Sequence, residues 1–394
     1  MKIIIDKATF IKSWSLTERS AGTSGSMNIF STIRLKAFEG DVEMQATDIK
    51  TSIVCQAKGV TVVEPGEAVI PLKGVSDLFK KAGSPEFTLV IEDGRAVMTA
   101  GKSRYRFTTY PVGDFPKLPS SASAKLFCSL KISDLIRTID RGSLCASSGD
   151  EYPQYLSSAL FEIDGEGMNV VSTDKRRLAL AKCEIGERGE SPENLLLPMK
   201  GLKELLRILG MLDPDMTLRL LYDDSQAYFV AEGMEFAIRR VESKFPPYAK
   251  ILPTSHKTRV LVDRSDLIAS IERVDVVVRD YNRIIVVNFR PDGESTMSGR
   301  APEFGEAVEN VPCEVEGDPI LIGFNTRFFH DAAKVLDEPV VALLFNGQEG
   351  HMLVRARDSD SFLCLIAPVE IGGEEAPSSE DIVEESVESG GDVL

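Results

Sequence analysis

Histidine is scarce, with only His256, His330 and His351 in 394 residues, and none of the three stands at the short spacing that lets two imidazoles share a metal ion. The six cysteines, Cys55, Cys128, Cys145, Cys183, Cys313 and Cys364, contain no CxxC pair, so they read as core thiols of a reducing compartment, not as disulfides or zinc ligands. Neither a GxxxxGK[ST] phosphate loop nor a GxSxG elbow occurs. Paired carboxylates such as Asp223-Asp224 and Glu374-Glu375 are unremarkable in a chain with 61 acidic residues. No catalytic site, metal or cofactor is expected. No run of about 18 apolar residues exists, and MKIIIDKATF is too short an apolar start for a signal peptide, which points to the cytoplasm and away from a membrane.

Basic residues are also in deficit. The net charge of −16 argues at first sight against nucleic acid, whose binding usually needs a basic surface. Its location changes that reading. Residues 372–394 contain no Lys or Arg and hold −8 of the total, leaving −8 on the rest. This segment is rich in Gly, Ser and Glu, with only Ile382, Val383, Val387, Val393 and Leu394 as large apolar residues, and is expected to be disordered.

What the chain does contain is a repeat. Pro71-Leu72-Lys73-Gly74 precedes Val75, Leu78, Phe79 and Ala82, the i, i+3, i+4, i+7 pattern of an amphipathic helix opened by proline. A step of 127 residues reaches Pro198-Met199-Lys200-Gly201 with Leu202, Leu205, Leu206 and Leu209. A second step of 127 reaches Asn325 with Phe329, Ala332, Ala333 and Leu336. Another helix recurs as Ser133-Asp134-Leu135-Ile136 and Ser265-Asp266-Leu267-Ile268, each serine a candidate N-cap, with Thr9-Phe10-Ile11 as the first copy. Strand-like runs at 43–54, 168–181 and 283–289 lie between them. Asp114 to Pro119 and Lys244 to Pro253 read as equivalent linkers.

The reading is three α+β domains, 1–121, 122–254 and 255–371, each with two helices on an antiparallel sheet, followed by the acidic segment 372–394. The six helices, taken as 6–20, 71–83, 133–142, 198–210, 265–273 and 325–337, sum to +4, so positive charge gathers on the helical layer.

Ser172 to Ala179, Lys244 to Pro253 and Gly323 to Arg327 resemble, in order and spacing, three motifs of the bacterial sliding clamp family, the DNA polymerase III beta subunits. The likeness runs from Met1 to Ile371. It implies a non-catalytic, nucleoid-associated processivity factor: a head-to-tail homodimeric ring around double-stranded DNA, with helices lining the channel. The implied partners are a clamp loader, the polymerase III alpha subunit and other polymerases or repair proteins carrying clamp-binding peptides.

The resemblance also implies site residues. A partner-peptide pocket would be formed by Leu156, Thr173, Lys175, Arg176, Arg177 and Leu178, by Pro246, Lys250 and Ile251, and by Leu365, Ala367, Pro368 and Val369. Lys80, Arg137, Gln154, Tyr155, Lys200, Lys203 and Arg207 would face DNA. Tyr105 and Phe107, on an edge strand, would meet Val276 and Val277 of the other subunit.

Some positions depart from the family pattern. Lys175-Arg176 stands where many members have Gly-His, so with Arg177 three cations stand in a row, which reads either as a solvated turn or as a pocket rim tuned to acidic peptides. Lys250 replaces a common Arg, Glu370 reverses a charge, and Ser24 sits where an Arg often touches DNA. A clamp-fold paralogue serving as a regulator or scaffold is the alternative such departures allow. The alternative to disorder for the acidic segment is that it lies against the Lys175 to Arg177 run and competes with partner peptides.

Overall fold

The computed structural model describes residues 1–22, 29–149, 151–190 and 192–371, so Ser24 and the acidic segment lie outside the described residues. The first copy comprises β1 (Lys2–Asp6), α1 (Lys7–Thr17), β2 (Thr32–Ala37), β3 (Val42–Thr47), β4 (Thr51–Gln56), β5 (Val60–Glu64), β6 (Gly66–Pro71), α2 (Val75–Lys81), β7 (Glu86–Glu92), β8 (Arg95–Ala100) and β9 (Ser103–Thr108). The second comprises β10 (Lys125–Lys131), α3 (Ile132–Gly142), β11 (Ser158–Asp164), β12 (Gly167–Thr173), β13 (Arg177–Glu184), β14 (Leu195–Pro198), α4 (Met199–Leu209), β15 (Thr217–Tyr222), β16 (Gln226–Ala231) and β17 (Met234–Arg239). The third comprises β18 (Thr258–Asp263), α5 (Arg264–Val278), β19 (Ile284–Phe289), β20 (Thr296–Ala301), β21 (Gly305–Asn310), β22 (Cys313–Gly317), β23 (Ile320–Asn325), α6 (Thr326–Lys334), β24 (Val340–Phe345), β25 (Met352–Ala356) and β26 (Ser359–Ile366). The order strand, helix, strands, helix, three strands occurs three times. In the second copy a single bridge between Cys128 and Arg188 takes the place of β5 and β22.

Contacts gather the chain into two units that cut across the middle copy. One holds Met1–Ile139, Ser148–Asn169 and Cys183–Lys244; the other holds Asp140–Ser147, Val170–Lys182 and the chain from Phe245. In the first unit an eight-stranded sheet runs β10-β15-β16-β17-β4-β3-β2-β6, and a five-stranded sheet runs β5-β1-β7-β8-β9. Copies one and two share the larger sheet because β17 pairs antiparallel with β4, Met234 opposite Cys55 and Ile238 opposite Thr51. A buried aromatic group of Phe10, Trp14, Phe79 and Phe87 fixes α1 and α2 on the smaller sheet, with the Trp14 and Phe79 rings 4.6 Å apart and edge to face. Each ring buried this way contributes roughly 2–3 kcal/mol of hydrophobic stabilisation.

In the second unit the strands run β13-β26-β25-β24-β18-β22, beside a four-stranded sheet β21-β20-β19-β23. Here β13 pairs with β26 as β4 does with β17, Leu178 lying opposite Leu365. One core joins Leu267, Ile271 and Val274 of α5 and Phe329, Ala332 and Ala333 of α6 to Val260, Leu343, Val354 and Cys364 of the sheet.

The helix starts correct the sequence reading. Asp263, one residue before the helix, caps α5 by accepting from Ser265 N at 2.8 Å and Asp266 N at 3.3 Å, so Ser265 lies inside the helix and is not its cap. Asp6 caps α1 in the same way, accepting from Thr9 N at 3.0 Å. Asp is as good a cap as Ser, and its charge also favours the helix N-terminus. Ser133 is not a cap either: α3 begins at Ile132, so Ser133 lies inside the helix. Pro71 ends β6 and Pro198 ends β14 as the extended residue before α4, so neither is the first helical residue. Helix α5 also continues past 273 to Val278. Of the six free cysteines, Cys183 and Cys313 are only half-buried, which corrects the reading of all six as core.

Candidate functional site

The segment Thr173 to Leu178 is a tight turn held by its own polar side chains. Thr173 Oγ1 donates to Arg177 O at 2.7 Å and accepts from Lys175 N at 3.1 Å. Asp174 Oδ1 accepts from Arg176 N at 3.0 Å and Arg177 N at 2.9 Å. The first copy repeats the device with the same atoms: Thr47 Oγ1 donates to Thr51 O at 2.7 Å, Ile49 N donates to Thr47 Oγ1 at 2.9 Å, and Asp48 Oδ1 caps Lys50 N and Thr51 N at 3.0 and 2.7 Å. Ile49 and Lys175, the third residue of each turn, have φ of 76° and 75°. The Thr-Asp pairs at 47–48 and 173–174 were the sequence signal of this shared turn.

The turn projects Lys175 and Arg176 into solvent but withdraws Arg177. Arg177 Nε donates to Asp174 Oδ2 at 3.0 Å and Nη1 to Asp331 Oδ2 of α6 at 2.9 Å, and the guanidinium carbon lies 4.2 Å from the centre of the Phe328 ring. The expected row of three exposed cations is therefore two. Arg177 is structural because a planar guanidinium satisfies two carboxylates and stacks on a ring at once.

Beyond the turn, β13 runs beside the last strand. Leu178 lies opposite Leu365, Leu365 opposite Leu353, and Leu353 opposite Leu344, so four leucines form a row on one sheet face. The other face of the same strands carries Ala179, Cys364, Val354 and Leu343 into the core with α5 and α6. Ala367 N donates to Arg176 O at 2.8 Å, and Val369 N to Gly323 O at 2.8 Å. A Cβ on Gly323 would stand 3.0 Å from Val369 O, so its absence lets the segment after β26 lie flat there. Thr173, Arg176, Leu178, Leu365, Ala367, Pro368 and Val369 are thus brought together. Pro246, Lys250 and Ile251 lie on the linker, with Ile251 57% exposed. Leu156 is buried within the first unit.

All seven expected DNA-facing residues belong to the first unit. Lys80 is on α2, Arg137 on α3, Lys200, Lys203 and Arg207 on α4, and Gln154 and Tyr155 on a single 3-10 turn. Three of the five cations are partly neutralised: Lys80 by Glu18 at 2.5 Å, Arg207 by Glu204, and Lys200 by Asp48 at 4.0 Å. Arg137 and Lys203 are exposed with no ion pair among the described residues.

Each of the four sheets ends in two edge strands, and two of these, β9 and β21, bear on the expected contact between subunits. Strand β9 ends the five-stranded sheet, and β21 ends the four-stranded one. Tyr105 and Phe107 lie half-buried on β9, alternating with exposed Arg104 and Arg106. On β21, Ala307 and Glu309 are half-buried, and Glu306 and Val308 are exposed. Val276, in the last turn of α5, and Tyr281 are exposed at 47% and 60%, and α5 packs on β21. The sequence reading named Val276 and Val277 but not β21 itself. Its signal was there: a short strand with a large aliphatic residue among glutamates.

Three related two-helix units whose sheets continue from copy to copy define a multidomain clamp architecture. Family models of the DNA polymerase III beta subunit match throughout: the N-terminal domain over residues 1–119, the central domain over 129–247 and the C-terminal domain over 249–370. The chain belongs to that family, the beta sliding clamps of DNA replication. It is 26% identical to the beta sliding clamp of Vibrio cholerae over 377 residues, covering 94% of this chain and 100% of that protein. It is 25% identical to that of Synechococcus elongatus over 375 residues, again with 94% and 100% covered. The crystal structure of the Bacillus subtilis DNA polymerase sliding clamp superimposes with a TM-score of 0.88 at 22% identity, covering 94% of this chain and 100% of that one. Matches across all three copies favour the processivity clamp of DNA polymerase III over a scaffold paralogue. No helix among the described residues is long and apolar enough to cross a membrane.

Proposed function

We propose that this chain works as a non-catalytic homodimeric ring that encircles double-stranded DNA in the cytoplasm and tethers polymerase III and repair polymerases by their peptides. The observation that supports the ring is that β9 and β21, the counterparts of strands that pair between copies within the chain, are both edge strands. Within the chain, the third strand of one copy's run pairs with the last strand of the next: β4 with β17, and β13 with β26. Strand β21 is the third of its run and β9 the last of its copy, so β9 of one chain is left for β21 of another. Such a contact is heterologous, and two of them close a dimer. Matching half-buried residues across the pair sets Tyr105 opposite Ala307 and Arg106 opposite Glu306. The basic edge with Lys102, Arg104 and Arg106 then faces the acidic edge with Glu303 and Glu306, which steers association and fixes register.

A closed ring is retained by topology, so a weakly basic inner layer such as Arg137 and Lys203 suffices, and the acidic remainder repels DNA from other surfaces. The leucine row beside the Thr173 turn supplies apolar anchor sites, and Lys175, Arg176 and Lys250 supply a cationic rim for an acidic peptide. A clamp loader is the implied route onto DNA. The test is loading onto nicked circular DNA followed by linearisation: the chain should stay on circles and slide off linear DNA. A chain that never stays on circles would leave the scaffold reading in its place.

A further inference from the structure

On the outer face of the second unit, β24, β25, β26 and the linker residues Pro253 to His256 enclose a cavity of about 240 Å³. Its floor is Leu344, Leu353 and Leu363, and Lys182, His256, His351 and Arg355 stand around it. Asp360 is the single acid in the lining, and its Oδ1 is already engaged by Arg355 Nη1 at 3.0 Å. The side chains of Lys182, His256 and His351 are exposed and make no hydrogen bond or ion pair among the described residues. An aliphatic floor under unpaired donors fits a ligand with an aliphatic core and flanking carboxylates.

The chain carries such a ligand. Glu380-Asp381-Ile382-Val383-Glu384-Glu385 places two β-branched aliphatic residues between two acidic pairs. We propose that this segment seats in the cavity, Ile382 and Val383 on the leucine floor and the carboxylates against Lys182 and the histidines. The reach is sufficient. Leu363 lies eight residues before Ile371, at most roughly 27 Å along an extended strand. From Ile371 to Ile382 the chain spans up to roughly 36 Å when extended. Tethering keeps the local concentration on the order of millimolar, so weak intrinsic affinity is enough. The seat on the Lys175 to Arg177 run is poorer, because Arg177 is sealed by Asp174, Asp331 and Phe328. The proposal does not need the ring, and the cavity adjoins the partner site, sharing Leu344 and Leu353 with its leucine row.

The three histidines make the test direct. His256 and His351 line the cavity, whereas His330 is on α6 beside Glu272 at 3.0 Å and serves as an internal control. In ring-labelled histidine NMR spectra of the full chain at low salt, Ile382→Ser with Val383→Ser should shift the His256 and His351 signals and leave His330 in place. In a Lys182→Glu background the same serine pair should produce no shift. In a Lys175→Glu, Arg176→Glu background it should produce the whole shift. Unmoved His256 and His351 signals, or a shift abolished by the rim pair, would overturn the proposal.

Discussion

Arg177 and Asp331 are joined across the second unit by a 2.9 Å charge-assisted hydrogen bond, from a turn on β13 to the middle of α6, with the arginine side chain only 9% exposed. Removing one partner of a sequestered pair leaves the other charge without compensation. Arg177→Met keeps the stem over Phe328 and strands Asp174 and Asp331, which are 20% and 29% exposed and so partly rehydrated. The expected loss is about 2–4 kcal/mol. Urea titration should show a lower midpoint at unchanged slope.

Lys175 holds a φ of 75°, the left-handed region that a side chain disfavours by roughly 1–2 kcal/mol. Lys175→Gly should therefore leave stability unchanged or raise it by up to about 1 kcal/mol, net of the backbone entropy of glycine. The same change removes a rim cation and should weaken binding of an acidic partner peptide. Unfolding and peptide titrations on one variant read both effects, and a strongly destabilised variant would contradict the turn geometry.

The repeat was legible because helix periodicity and linker prolines survive when identity does not: Val75, Leu202 and Phe329 are all buried in the register read from spacing. The helix starts were not, since Asp263 and Ser265 are equally good caps on paper and only backbone geometry chooses between them. The cavity was missed because Lys182, His256 and Leu363 are far apart in sequence. A signal for it existed in Val340 to Phe345 and Phe362 to Ile366, which are apolar at every position and so imply strands covered on both faces. Arg177 was misread as exposed because Asp331 and Phe328, its partners, lie more than 150 residues away.

Leu178 and Leu365 face each other at 2% exposure each, and Pro368 follows them. Leu178→Ala with Pro368→Ala should weaken partner-peptide binding by tenfold or more, about 1.4 kcal/mol, while sedimentation shows an unchanged dimer. Equal affinity in calorimetry would move the peptide site elsewhere.

Burial, partly offset by a hydrogen bond with Thr17 and the charge of Lys58, pushes the Cys55 thiol up to about 11; burial and the nearby Cys183 push Cys128 to about 12. Both folded values exceed the unfolded thiol value of about 8.5, so the stabilisation is complete below that pH and is lost as pH rises through 11 and 12. On the order of 3 kcal/mol of that loss comes from Cys55 and on the order of 5 kcal/mol from Cys128. Cys55→Ala with Cys128→Ala should flatten the fall in melting temperature above pH 9. A wild-type curve already flat there would contradict the burial.

Arg106 and Glu306 stand exposed on the edge strands β9 and β21, and the proposed register sets them opposite each other. Arg106→Glu then places two carboxylates together at a desolvating contact and should weaken the dimer by tenfold or more, about 1.4 kcal/mol. Glu306→Arg alone should do likewise, whereas the two together should restore association. Val276→Asp, an exposed position near the same edge, should give monomers with an unchanged circular dichroism spectrum. Recovery in the charge-swapped double variant, read by analytical ultracentrifugation, is the decisive outcome, because loss of folding cannot be reversed by a second charge. If Arg106→Glu leaves the dimer intact, or the swap fails to rescue it, β9 and β21 are not paired in this register.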